Sequence, residues 1–98
     1  PVMSVADGVV IESSYQGAYG NMVDVAHVDG FVTRYAHLKS IDVRAQDQVK
    51  RHDTLGTLGN TGRSTGPHLH YEVIFKGEAV HPVKALAVWS RKSSIFNH

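Results

Sequence analysis

Asp29-Gly30 sits between two runs rich in β-branched and aromatic residues, 22–28 and 31–37, and no other feature constrains the fold of this chain as strongly. An Asp-Gly pair supplies the positive φ angles of the mirror-image turns whose twist suits antiparallel strands, so the two runs predict a hairpin closed by a two-residue turn. An earlier strand is expected over residues 8–13, behind the turn signal Asp7-Gly8, with shorter ones near 41–43, 48–50 and 54–58. Residues 56–67 contain four glycines and a proline, a density that excludes a helix and indicates a tight, irregular loop. That loop leads into His68-Leu69-His70-Tyr71-Glu72-Val73-Ile74-Phe75, a further strand closed by the turn Lys76-Gly77. Only residues 82–89 have helical character, with Pro82 suited to a first helical turn. Many short strands, glycine turns and one short C-terminal helix predict an all-β fold, an antiparallel sandwich or hybrid barrel. One domain is expected over residues 1–89 and a polar tail over 90–98, with no internal repeat.

A chain of 98 residues buries one modest core, and without cysteine it has neither a disulfide nor a thiolate metal ligand. Ten basic and nine acidic residues are interspersed, without a Lys/Arg cluster or grouped aromatics, so no nucleic-acid partner is expected. No apolar run approaches the length of a bilayer span, so the chain is read as having no transmembrane segment and no signal peptide. A start at Pro1 reads as a processed product or a fragment. Seven histidines are many for this length and point to metal or proton chemistry.

His68 and His70 stand two apart in the strand that leaves the Gly-Pro loop. Strand side chains alternate, so both imidazoles should emerge on one face while Leu69 and Tyr71 point the other way. Two such rings suit one metal ligand and one proton-handling group; by themselves they are equally a half-exposed strand face. His37, in Tyr35-Ala36-His37-Leu38, reads alone as a surface or capping residue at the end of its strand run. His27, beside Asp24 and Asp29, reads as structural or surface, and His52, His81 and His98 are assigned no role. The glycines at 56, 59, 62 and 66 serve turns; no Lys-Ser/Thr follows and no helix begins there, which rejects a phosphate-binding loop. Ser64 and Thr65 lack the setting of a nucleophile and are better explained by the turn.

Taken in order, Ala6-Asp7-Gly8-Val9-Val10, Asp29-Gly30, Tyr35-Ala36-His37-Leu38 and the long string from Gly59 through Pro67-His68-Leu69-His70-Tyr71-Glu72 resemble the lysostaphin/LytM-type zinc metallopeptidases. The likeness runs from about Pro1 to about Leu86. It implies an antiparallel sheet folded over a central cleft, a bound Zn2+, and hydrolysis of peptide bridges or stems in peptidoglycan. Residue by residue, it implies that His70 is a zinc ligand. It likewise implies that His68 lies near the metal-bound water and that His37 approaches from across the cleft, both in catalytic roles. The expected partner is a peptidoglycan peptide, and the expected location is the bacterial cell envelope, periplasmic or extracellular. Tyr35, Asn60, Thr61 and Ser64 lie in segments expected to line the substrate groove. Glu72 shares a strand face with His68 and His70, where it either orients an imidazole or faces solvent.

In this family the first two zinc ligands come from a His-x-x-x-Asp segment that would precede Pro1, and no histidine of this chain has an aspartate four residues on. A catalytic zinc takes three protein ligands and a water. The isolated chain is therefore expected to be inactive, with the remaining ligands supplied by an upstream segment or a separate chain. Three retained imidazoles favour that reading over a non-catalytic domain of the same fold that regulates another cell-wall hydrolase. A biotinyl- or lipoyl-carrier domain is rejected, because Met3 precedes Ser4, Met22 precedes Val23, and Lys76 lacks the setting of a carrier lysine. Lesser departures are Ala45-Gln46-Asp47 and His52-Asp53, where the family commonly has glycine turns.

Overall fold

A computed structural model of the chain describes residues 1–59, 62 and 69–80. His68, the segment expected to be helical at 82–89 and the tail at 90–98 lie outside the described residues. The described part is all-β, eight strands of one antiparallel sheet: β1 (Val2–Met3), β2 (Gly8–Tyr15), β3 (Asn21–Ala26), β4 (Phe31–Ile41), β5 (Gln48–Val49), β6 (Thr54–Leu58), β7 (His70–Phe75) and β8 (Glu78–Val80). The order is β1-β6-β4-β3-β2-β5, and β7 pairs with both β4 and β8. No α-helix occurs among the described residues; the links Gly17–Tyr19 and Val28–Gly30 are single 3-10 turns.

The predicted hairpin is β3–β4, but Ala26 pairs with Val32 and His27 N–H donates to Phe31 O, so its link is the three residues Val28–Gly30 rather than the expected two-residue Asp-Gly turn; Asp29 and Gly30 both take positive φ, 61° and 82°. The turns at Ala45-Gln46-Asp47 and His52-Asp53 keep left-handed residues without glycine, Gln46 at φ 78° and His52 at 76°. Asp47 and Asp53 carboxylates brace them by accepting from the backbone N–H of Arg44 and Lys50.

Along β4, Phe31, Thr33 and Tyr35 are buried toward the core, while Val32 and Arg34 point to the other face. The alternation then breaks. Val23 pairs with Tyr35 but Asn21 pairs with Leu38, so β4 carries one extra residue there, a β-bulge. The slip returns Leu38 to the core, where it packs with Val10, Val23, Val25, Tyr35 and Leu55. At the same point one edge of β4 changes partner: Phe31–Ala36 pair with β7, and Leu38–Ile41 with β6. His37 was expected to end its strand; instead it sits mid-strand, where the sheet bends. A second cluster, Ala6, Phe31 and Val73, closes the core beneath β7.

A cleft face built around His37 and His70

His37 takes φ 60°, a left-handed conformation that is costly for a residue with a Cβ, by about 1–3 kcal/mol. Without the bulge, strand parity would send its ring into the core beside Tyr35. With it, the ring comes to the opposite face and meets His70 edge to face, 5.6 Å between ring centroids at 87°. His37 is buried there, 6% exposed. His70 opens β7, opposite Ala36 of β4.

Around these two rings the sheet carries a row of charges. Glu12 pairs with Asp24, Asp24 with Arg34, and Arg34 with Glu72, so strand register alone lines the four up across β2, β3, β4 and β7. Arg34 grips Asp24 with two hydrogen bonds, Nε to Oδ1 and Nη2 to Oδ2, both 2.9 Å. That contact, more than the Coulombic attraction, holds the guanidinium above its ordinary pKa. Asp24 is thereby buried on a strand covered on both faces. Arg34 Nη1 also donates to Glu72 Oε1 at 3.4 Å, and Tyr19 Oη donates to the same oxygen at 3.2 Å. Tyr19 comes from the 3-10 turn Gly17–Tyr19; its ring stands edge-on to His70 at 5.7 Å and lies 4.9 Å from the guanidinium carbon of Arg34. Gly62 is packed against this link: at φ 73°, a Cβ there would collide with Gly20 N and Ala18 O. An open groove of about 410 Å³ extends from here, lined by Tyr19, Val32, Arg34, Glu72 and Ile74 among others.

The Nε2 atom of His70 is shielded from solvent and has no hydrogen-bond partner among the described residues. Glu72 Oε2 is 3.3 Å away, an ion-pair distance, but the two atoms are not aligned as a hydrogen bond. An imidazole with a buried, uncommitted nitrogen beside a carboxylate fits one place in a zinc site. The described residues contain no group of three His, Cys, Asp or Glu able to hold a metal ion, so the complete donor set is not among them.

Other candidates fall elsewhere. His68, Asn60, Thr61 and Ser64 lie outside the described residues. Tyr35 does not line this face: it is a core residue, 1% exposed, whose Oη accepts from Val5 N–H and bonds Thr33 Oγ1. His27 lies beside a larger open groove of about 590 Å³ with Asp7 and Lys50, but both ring nitrogens are occupied, by Asp7 O at 2.7 Å and Thr33 Oγ1 at 2.6 Å. Burial lowers its pKa, against the opposing pull of the Asp7 carbonyl. The sequence reading missed Tyr19, Arg34 and the full role of Asp24. A charged residue inside an apolar strand run needs a partner, but a two-residue Asp29-Gly30 turn would set Asp24 opposite Tyr35, and only the three-residue link seen here brings it opposite Arg34.

Residues 1–82 match the model of peptidase family M23. DD-carboxypeptidase/endopeptidase Mpg of Neisseria meningitidis is 47% identical over 83 residues, covering 85% of this chain and 19% of that protein. A zinc-containing peptidase from Vibrio cholerae superposes with a TM-score of 0.75 at 40% identity, over 79% of this chain and 24% of that one. The catalytic domain of lysostaphin from Staphylococcus simulans gives a TM-score of 0.82 at 30% identity, over 89% and 70%. The chain thus spans about a fifth of the length of the curated relatives it matches.

Proposed function

The chain belongs to peptidase family M23, and from that premise we propose that it forms most of the domain with which a zinc metalloendopeptidase hydrolyses peptide bonds in peptidoglycan cross-links or stems. The observation that carries this reading is the bulge at His37, which spends backbone strain to bring that ring against His70 on one face. A curated relative named as a DD-carboxypeptidase/endopeptidase, and a zinc-containing peptidase of the same fold, support the substrate class and the metal. Peptidoglycan lies outside the inner membrane, so the site of action is the bacterial envelope; no helix among the described residues is long and apolar enough to cross a membrane.

In this reading His70 is the ligand this chain contributes, and the other two protein ligands come from outside it. Bound zinc lowers the pKa of a coordinated water and polarises the scissile carbonyl. His37, held by the bulge, and His68, two residues before His70 in the sequence, are the proton-handling groups. A neutral imidazole at either position accepts the proton of the attacking water, and an imidazolium stabilises the negative charge that develops on the carbonyl oxygen. The buried setting of His37 keeps its ring in one place through that exchange.

The test is digestion of purified peptidoglycan by the full-length protein, with products resolved by chromatography and zinc measured on each variant. His70→Ala should lose zinc and activity together. His68→Ala should keep zinc and lose activity by about 100-fold or more, the usual contribution of a positioned acid–base group. Equal zinc loss in both variants would overturn this assignment of roles. A zinc-free wild-type protein that binds a cell-wall hydrolase without cleaving peptidoglycan would favour a regulatory domain instead.

A further inference from the structure

Glu72 has two carboxylate oxygens, and the fold treats them differently. Oε1 receives two donors, Tyr19 Oη and Arg34 Nη1, while Oε2 lies 3.3 Å from Nε2 of His70. Arg34 cannot turn to satisfy some other group, because Asp24 holds its remaining nitrogens with two bonds of 2.9 Å. Tyr19 is likewise constrained, its ring face 4.9 Å from the guanidinium carbon and inclined at 68° to the ring of His70. We propose that Tyr19 and Arg34 are positioning residues that pin Glu72 so that its free oxygen dictates which ring nitrogen of His70 carries the proton.

A carboxylate only accepts hydrogen bonds, so Oε2 favours the tautomer with the proton on Nε2. The lone pair is then left on Nδ1. The same contact explains how a solvent-shielded Nε2 without an aligned partner is tolerated: its acceptor is in place at 3.3 Å, and bonds of this kind are commonly loose before a site is filled. The inference rests on His70 being a zinc ligand only for its consequence, since the tautomer itself is a property of the metal-free protein. Carboxylate–histidine–zinc arrangements fix ring orientation and raise ligand basicity.

Glu72→Gln separates this account from a merely structural one. The carboxamide has one acceptor and one donor end, and the Arg34 guanidinium can only donate. The carboxamide oxygen must therefore face Arg34, turning the NH2 group toward His70 Nε2, which has to become the acceptor. A nearly isosteric change should thus move the proton of His70 to Nδ1.

The experiment is nitrogen-15 NMR of His70 in the metal-free full-length protein at a pH where the ring is neutral, followed by zinc affinity in competition with a chelator. The wild type should show the proton on Nε2, Glu72→Gln should show it on Nδ1, and Glu72→Ala should show a mixture. Zinc affinity should fall about 10- to 100-fold in Glu72→Gln, the usual effect of losing an outer-shell partner. Tyr19→Phe, which keeps the ring and removes one donor, should loosen the preference without reversing it. A Glu72→Gln protein that is folded by its amide spectrum and still carries the proton on Nε2 overturns the proposal, whatever its zinc affinity. A reversed tautomer with unchanged zinc affinity upholds the brace and sinks the assignment of His70 as a ligand.

Discussion

His27 and His70 show how far the same side chain is set by what its nitrogens meet. In His27, Nδ1–H donates to Asp7 O, so Nε2 must accept from Thr33 Oγ1. The Thr33 hydroxyl in turn bonds the Tyr35 hydroxyl, which accepts from Val5 N–H. Burial lowers the folded pKa of His27 below its ordinary 6.5. As pH falls, the unfolded chain therefore takes up the proton first. The stability conferred by the neutral ring is complete above about pH 6.5 and is lost as pH drops from there through the folded value. Thermal melts between about pH 8 and 5 should show this decline, and His27→Gln should flatten it. An identical slope in the variant would mean that another group carries it. The identity of His27 as a structural residue was legible from its place in a strand, since a histidine in a β-rich run between aspartates needs no metal to account for it. Its exact partners were not, because Asp7 and Thr33 are brought to it from two other segments.

At the level of single elements, the strands were readable and the break within one of them was not. Period-two patterning and the Asp29-Gly30 turn located β2, β3 and β4, and the parity of His70 with Glu72 followed directly. β1 was missed because two residues are too few to show a period, and β4 was cut short because its pattern lapses at Ala36-His37-Leu38. That lapse is the bulge itself: three consecutive buried residues read as noise until the register shift against β3 explains them. The placement of His37 beside His70 therefore could not be derived from alternation, which sends its ring to the wrong face; only family likeness suggested it. The bulge makes a specific energetic prediction. Because residue 37 sits at φ 60°, His37→Gly should be more stable than His37→Ala by about 1 kcal/mol, the reverse of the order in an ordinary strand. Denaturant unfolding of the two variants measures the difference, and both lack the ring, so its packing cancels. Alanine equal to or better than glycine would show that the backbone at 37 relaxes out of the left-handed region.

For the molecule as a whole, the question is how much of a metalloenzyme one segment of about a hundred residues can hold. Its core is modest: Val2, Val10, Val23, Val25, Tyr35, Leu38, Val49 and Leu55 in one cluster, Ala6, Phe31 and Val73 in another. There is no disulfide to add to it. The described residues offer the imidazole of His70, while other acids and histidines nearby are held by partners: Glu72 by Tyr19 and Arg34, Asp24 by Arg34, His27 by Asp7 and Thr33. A catalytic zinc needs three protein ligands, and a single imidazole binds it weakly. The isolated 98-residue polypeptide should therefore bind zinc weakly and leave peptidoglycan undigested. Adding the His-x-x-x-Asp segment that the family places before the position of Pro1, in the same chain or as a separate peptide, should restore both. The same addition should raise the melting temperature in a zinc-dependent way, because a metal bound only by the native state stabilises it by mass action. Zinc titration, a peptidoglycan digestion assay and thermal melts with and without zinc, run on the polypeptide alone and on the completed protein, give the three readouts. Tight, stoichiometric zinc with full turnover in the polypeptide alone would require Asp24 or His27 to leave its present partners and complete the site. The Arg34 guanidinium would then lose the carboxylate it grips, or Thr33 and Asp7 would lose the imidazole that links them. Either rearrangement would appear as loss of the Asp24–Arg34 pair or of the His27–Thr33 bond on zinc binding, and retention of both alongside weak zinc would point to ligands from outside the segment.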